Sequence, residues 1–387
     1  MFISVLKRRS VIIIIFIMAL QLLLPLAASG VDLDLKAESA ILLDANSGKV
    51  LFERDPHKVM YPASMTKLMT LIIAFEAIEE EKVKMSDVVT ASANAASYGG
   101  SQIFLAAGEQ LTLKELLLGI ALASGNDASV AVAEYIAGSH EEFVALMNKK
   151  AAELGLKNTH FVNCNGLHDP EHYTTAADFA RIGLEALRYP GILELCSVKH
   201  YRIREDTSNP FQFDNKNKLL WFYPGTDGFK TGWTTDAKYC FTATAERDGL
   251  RFVSVVMGVP VKSGHFADTQ VLFNWGFSQF VFKEFHKADQ MIAEVKVSKG
   301  VAESVKVVSE YRVGITVSKG KDKNITTSIE LPQAVNAPVN AGQILGHVSI
   351  VQNGQVLGRI NLLAAEGIAK GSWWREFKKV IAATVVG

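Results

Sequence analysis

Three short segments of this chain hold residue types that together can move an acyl group. Ser64 and Lys67 stand three residues apart in Ser64-Met65-Thr66-Lys67, and Ser124-Gly125-Asn126 and Lys230-Thr231-Gly232 follow further along. A serine hydroxyl is a poor nucleophile at neutral pH until an adjacent base takes its proton. Residues at i and i+3 of a helix share one face, so the Lys67 amine can reach the Ser64 hydroxyl. It can act as a base only if desolvation or a neighbouring cation lowers its pKa, and Lys230 is the candidate neighbour. Ser124 is expected to relay a proton to a leaving amine, and Asn126 to offer its amide to a substrate backbone. Lys230 and Thr231 are expected to present charge and a hydroxyl to a substrate carboxylate, with Gly232 letting an extended substrate approach the strand closely. The backbone N–H groups of Ser64 and Trp233 are the expected oxyanion donors.

Each pattern is weak alone, and the sequence contains its own decoys. Ser4-Val5-Leu6-Lys7 and Ser318-Lys319-Gly320-Lys321 repeat the first spacing, Ser92-Ala93-Asn94 mimics the second, and Lys262-Ser263-Gly264 is a variant of the third. What distinguishes the working set is its order and setting. Pro62 opens a helical pattern running from Ser64 through Ile78. Thr112 and Glu115 have the form of a capping box before an apolar helix ending near Ala123, just ahead of Ser124. Helical patterns continue over 127–136, 141–154 and 176–187. Ser39 to Leu43 and Lys49 to Glu53 read as a strand pair. Gly228–Thr234, Tyr239–Ala245 and Arg251–Val259 alternate like strands, with Asp248-Gly249 as a tight hairpin signal. A helix from about Thr269 to Phe280 closes this region. Beyond His286, short Val/Ile/Thr strands split by Gly and Asn turns suggest a separate small β-domain.

The 387 residues exceed one comfortable core, which argues for two folded domains. Zero formal net charge gives no footprint for nucleic acid. Cys164, Cys196 and Cys240 lack both the number and the spacing of a disulfide framework or a zinc site. At the N-terminus, Lys7, Arg8 and Arg9 precede an apolar stretch from Val11 to Leu24, then Pro25 and the small residues Ala27, Ala28, Ser29 and Gly30. That is the order of a secretory signal peptide. At the C-terminus, Trp373, Trp374, Phe377, Val380, Ile381 and Val385 recur at helical spacing against Arg375, Glu376, Lys378 and Lys379. A short basic helix of this kind lies in the headgroup plane of a membrane. The expected organisation is therefore a signal peptide over 1–30, a catalytic domain over 31–285, a β-rich domain over 286–366 and an amphipathic membrane-anchoring helix over 367–387.

Taken together, Tyr61-Pro62-Ala63-Ser64-Met65-Thr66-Lys67, Ser124-Gly125-Asn126-Asp127 and Phe229-Lys230-Thr231-Gly232-Trp233-Thr234 resemble the D-alanyl-D-alanine carboxypeptidases, the low-molecular-mass penicillin-binding proteins. The likeness extends to Ala40-Ile41-Leu42-Leu43-Asp44, Gly100-Ser101-Gln102-Ile103-Phe104-Leu105 and Leu156-Lys157-Asn158-Thr159, and is nearest to Bacillus-type enzymes. It implies an α+β penicillin-binding or β-lactamase-like catalytic domain, an antiparallel sheet with a helical cluster, followed by a small all-β domain and the terminal amphipathic helix. It also implies a serine peptidase without metal or cofactor, working at the outer face of the bacterial membrane. Ser64 would remove the terminal D-alanine of a peptidoglycan stem peptide through an acyl-enzyme, and β-lactams would acylate it covalently. By the same resemblance Thr234, and Lys216 or Lys218, help hold the terminal carboxylate. Three other readings compete. A β-lactamase needs a deacylating glutamate, for which Glu171 and Glu194 are the candidates. A zinc hydrolase is suggested by His168-Asp169-Pro170-Glu171-His172, although Pro170 argues against the helix that motif requires. A wall-binding protein without turnover is the third.

Overall fold

The computed structural model describes residues 31–309 and 311–374. The expected signal peptide and most of the expected terminal helix lie outside the described residues.

Strand β1 (Ser39–Asp44) is buried along its whole length, as its unbroken apolar run requires of a strand covered on both faces. It pairs with β2 (Val50–Arg54) on one side. The chain returns to the same sheet much later through β3 (Thr226–Thr234), β4 (Lys238–Arg247) and β5 (Leu250–Val259). The five strands run in the order β2-β1-β5-β4-β3, antiparallel at every pair. Asp248 and Gly249 both have positive φ, +50° and +78°, as a two-residue turn matching the strand twist demands, and they join Arg247 to its register partner Leu250. The consequence for function is that β3, which carries Lys230, is an edge strand with one side unpaired in the sheet.

In chain order, the helical cluster falls between the early and late strands of this sheet. Helix α1 (Lys67–Glu79) is buried nearly all round, including Leu68, Leu71, Ile72 and Ala74, so it forms the centre of the cluster rather than a surface helix with one apolar stripe. The capping box is present at α2 (Leu113–Leu118): the Glu115 N–H donates to Thr112 Oγ1 at 3.2 Å and the Thr112 N–H donates to Glu115 Oε2 at 2.7 Å. This helix widens into a π turn over Gly119–Ala123. Helices α3 (Asn126–Ala137), α4 (His140–Glu153) and α5 (Ala176–Ala186) complete the cluster. Helix α6 (Gly264–Gln279) covers the other face of the sheet. It starts five residues before the expected Thr269, because His265 and Asp268 are held inside: His265 stacks on Tyr239, and Asp268 accepts the N–H groups of Lys36 and Ala37.

The C-terminal region is all β. Strand β6 (Phe280–His286) pairs with β9 (Val313–Ser318), so β structure begins where α6 ends. Strands β7 (Ala293–Ser298), β8 (Ser304–Val308), β10 (Ile325–Glu330), β11 (Ala334–Asn336), β12 (Ile344–Gln352) and β13 (Gln355–Ala364) form a second sheet in the order β10-β12-β13-β8-β7-β11. Val295, Val297, Val305, Val307, Val348 and Leu362 fill its core. The helix expected from residue 367 does not start there. Ile368 is bridged to Val339 and Lys370 to Gly300, and the first helical residues are Trp373 and Trp374. Burial of the Ile368 side chain in this core holds the segment to the sheet edge.

Candidate active site

The sequence reading places Ser64 on the helix, one turn before Lys67. In the structure Ser64 lies instead in a 3-10 turn, Ala63–Thr66, and α1 begins at Lys67. The turn still directs the two side chains at each other, with Lys67 Nζ 3.1 Å from Ser64 Oγ. Lys67 is wholly buried. Its amine also donates to Asn126 Oδ1 at 2.7 Å and to the Asn165 carbonyl oxygen at 2.5 Å. Burial, with the charge of Lys216 adding to it, lowers the Lys67 pKa to about 7. Amide and peptide oxygens only accept hydrogen bonds. A neutral amine here therefore spends its two hydrogens on Asn126 and Asn165 and turns its lone pair to the Ser64 hydroxyl.

Ser124 follows the π turn with φ +64°, a left-handed conformation uncommon for a residue with a Cβ. Its hydroxyl is buried, borders the cleft and has no hydrogen-bond partner among the described residues. Asn126 opens α3. Its Nδ2 donates to the Gly99 carbonyl at 2.7 Å and its backbone N–H to the Ser101 carbonyl at 2.7 Å. Asp127 accepts the N–H groups of Ile103 and Leu105. The 99–105 segment is thereby fixed to the start of α3 and forms one wall of the cleft. Asn126 thus supports Lys67 with its oxygen and the 99–105 segment with its amide nitrogen.

On the opposite wall, Lys230 is buried beneath the surface of β3, and its amine donates to the Thr231 carbonyl at 3.1 Å. Burial lowers its pKa well below the usual lysine value, and the charges of Lys67 and Lys216 add to the effect. Thr231, Gly232 and the half-exposed Trp233 border the cleft, whose volume is about 430 Å³. Gly232 also meets a steric constraint within the protein. A Cβ there would stand 2.8 Å from the Pro62 carbonyl oxygen and 3.0 Å from Ser64 N. The close neighbour is the protein's own nucleophile turn. Thr234 lies past the cleft lining, and its hydroxyl accepts the Ala237 N–H at 3.0 Å, closing the turn into β4. Lys216 and Lys218 both border the cleft. Lys216 reaches in to Ser101 Oγ at 2.6 Å, and water loss around its amine lowers its pKa. Lys218 turns to the Asn215 carbonyl at 3.2 Å and the face of Trp221 at 4.8 Å.

Other residues complete the site, of which Asn165 and Gly166 carry no signal as a catalytic pattern. Asn165 acts through its backbone carbonyl. Gly166, with φ +83°, lies so close to Ala63 that a Cβ would collide with the Ala63 carbonyl group. His172 is buried, with Thr66 Oγ1 at Nε2 and the Val162 N–H at Nδ1. That engagement rules out its use with His168 as a ligand pair, since both ring nitrogens are occupied. His168 instead packs on Tyr61 and stands 3.7 Å from Asp236. Glu171 and Glu194 are exposed, and neither borders the cleft, so neither occupies the place a deacylating glutamate needs.

Known proteins resemble this chain in sequence and in fold. Residues 27–261 match the family described as D-alanyl-D-alanine carboxypeptidase, and residues 280–370 match the C-terminal domain of penicillin-binding protein 5. The D-alanyl-D-alanine carboxypeptidase DacF of Bacillus subtilis (strain 168) is 42% identical over 347 residues, 89% of each chain. Penicillin binding protein 5 from Haemophilus influenzae superposes with a TM-score of 0.68 at 34% identity, covering 87% of this chain and 98% of that one. Penicillin-binding protein D2 from Listeria monocytogenes, solved in its ampicillin-bound form, gives a TM-score of 0.57 at 28% identity over 64% of this chain and 99% of that one.

Proposed function

The chain belongs to the D-alanyl-D-alanine carboxypeptidase family, and from that premise we propose how its cleft carries out serine carboxypeptidase chemistry on the terminal D-alanine of a peptidoglycan stem peptide. Neutral Lys67 takes the Ser64 hydroxyl proton as Oγ attacks the carbonyl carbon of the penultimate D-alanine. The oxyanion forms against the N–H groups of Ser64 and Trp233. Collapse breaks the C–N bond, and terminal D-alanine leaves after its nitrogen gains a proton through Ser124. Water then attacks the acyl-enzyme, its proton passes to Lys67 or Ser124, and the shortened peptide departs with Ser64 restored. Thr231 and the Lys216 amine supply the hydroxyl and charge that hold the terminal carboxylate. Buried Lys230 underlies the same wall, and the charge that helps keep Lys67 unprotonated is that of Lys216 rather than the expected Lys230. Thr234 shapes the end of β3 that these groups share.

The observation that carries this reading is the Lys67 environment: two fixed oxygen acceptors, one serine hydroxyl and burial that brings its pKa to about 7. A base works best with a pKa near the operating pH. The ampicillin-bound relative supports β-lactams as covalent inhibitors here. The deciding experiment is mass spectrometry of the protein after exposure to benzylpenicillin. The expected result is a single adduct on Ser64 that is lost in Ser64→Ala; an adduct on another residue would overturn the assignment.

Export and attachment to the outer face of the membrane form part of the same proposal, and rest on the sequence patterns at the two ends. Removing residues from Trp373 onward is expected to release the mature protein from membranes with peptidase activity kept. Unchanged retention would refute the C-terminal anchor.

A further inference from the structure

His172 performs no step in the scheme above, yet its ring is buried directly behind the nucleophile turn, only 2% exposed. Nδ1 accepts the Val162 N–H at 3.1 Å. A neutral imidazole carries one proton, so that proton resides on Nε2. Nε2–H donates to Thr66 Oγ1 at 2.8 Å, and the Thr66 hydroxyl donates to the Ala63 carbonyl oxygen at 2.8 Å. Phe161 packs edge-on against the ring with centroids 5.6 Å apart. Burial pushes the His172 pKa down to about 4, so the ring stays neutral at working pH and the direction of the hydrogen-bond chain is constant.

The chain ends on an unusual peptide. Ala63 has φ +48°, a left-handed conformation that is unfavourable for an L-residue. Its carbonyl shares a planar trans peptide with the Ser64 N–H, so the two bonds point in opposite directions. Fixing the Ala63 C=O therefore fixes the Ser64 N–H. Gly166 presses on the same carbonyl from the loop that leads to His172. On the other side, Ser64 N faces β3 at Gly232, beside the second oxyanion donor, Trp233.

We infer that His172 is a positioning residue of the oxyanion hole: through Thr66 and the Ala63 carbonyl it aims the Ser64 N–H at the point where the tetrahedral oxyanion forms. This assignment rests on Ser64 being the nucleophile. It gives His172 an effect on the transition state rather than on substrate binding. Misaiming one donor is expected to lower kcat about 10- to 100-fold, with KM for a D-Ala-D-Ala peptide changed less than about twofold.

The test compares His172→Phe, which fills the space without a donor, with His172→Gln, whose amide can still donate to Thr66. His172→Phe is expected to show the kcat loss and a parallel loss of affinity for a peptide boronic acid, which forms a tetrahedral adduct on the nucleophile. His172→Gln is expected to recover most of both. Equal kcat in wild type and a folded His172→Phe would overturn the inference, as would equal losses in the two variants. If His172→Phe does not fold, Thr66→Val and Thr66→Ser take its place. The valine variant must lose kcat and the serine variant must keep it; any other pattern, failure to fold included, refutes the chain. Benzylpenicillin mass spectrometry on wild type separates the two levels of the argument. An adduct away from Ser64 removes the premise, whereas an adduct on Ser64 with an unaffected His172→Phe removes only the positioning role.

Discussion

Ser64-Met65-Thr66-Lys67 and Ser318-Lys319-Gly320-Lys321 share a spacing, and the fold treats them in opposite ways. The first occupies a 3-10 turn and the start of a buried helix, where Lys67 meets Ser64, Asn126 and Asn165. The second ends a strand of the small β-domain and turns back on itself, with the Lys321 N–H donating to the Ser318 carbonyl at 3.0 Å. Lys321 is exposed. The reactive property is thus not the serine-lysine interval. It is the removal of water from the amine together with oxygen acceptors placed so that its lone pair faces the hydroxyl. Those partners come from α3 and the 160s loop, roughly 60 and 100 residues from Lys67 in sequence.

The largest expected contrast comes from the serines. Ser64→Ala should abolish β-lactam acylation, and Ser318→Ala should leave its rate at the wild-type value, both read by rapid-quench mass spectrometry. Acylation of Ser64→Ala at the wild-type rate would erase the distinction between the two regions. Lysine replacement sharpens it further. Lys67→Arg keeps a charge but cannot supply a base, so acylation should fall about 100-fold or more, while Lys321→Ala should not change it.

A matched pair of glycines separates backbone strain from collision. Gly166 and Gly320 share a φ of +83°, but a Cβ at Gly166 meets the Ala63 carbonyl group, whereas at Gly320 nothing among the described residues lies within 4 Å. Gly320→Ala should therefore cost about 1 kcal/mol, the left-handed penalty alone, with acylation unchanged. Gly166→Ala should cost about 2 to 4 kcal/mol and slow acylation, because the loop holding Lys67 must move. Thermal unfolding alongside acylation rates reads both, and equal losses at the two sites would contradict the collision.

The pH dependence is the subtlest test. The base form of Lys67 is the active one, and its pKa is about 7. The acylation rate should therefore rise with pH, reach half its maximum near pH 7, and fall as acid protonates the amine. Lys216→Ala removes a charge that lowers this pKa, so the midpoint should move upward. A midpoint unchanged by that substitution would show that burial acts alone.

Much of the frame is legible along the chain because its causes are local. Continuous apolar runs mark the buried strands, Asp248-Gly249 supplies the two positive φ angles of the hairpin, and Thr112 with Glu115 closes the capping box within a single turn. The ordered serine, lysine and asparagine motifs likewise name the side chains that converge in the cleft. Other features depend on contacts between distant segments. The Asn165 carbonyl that orders Lys67 is a group every residue possesses, so no side-chain pattern announces it. Gly232 reads as an opening for substrate, and only the fold shows that the Ser64 turn also packs against it. Lys216 and Lys218 are indistinguishable in sequence, and only the path of their chain sends one to Ser101 and the other to Trp221.

The sequence by itself determined the chemistry available: a hydroxyl, an amine able to lose its charge, and an edge strand able to face a carboxylate. Tertiary structure decided whether that chemistry operates, since desolvation, the aim of a backbone N–H and the choice among equivalent lysines are properties of packing. Packing brings together atoms that short-range periodicity and local propensity do not relate.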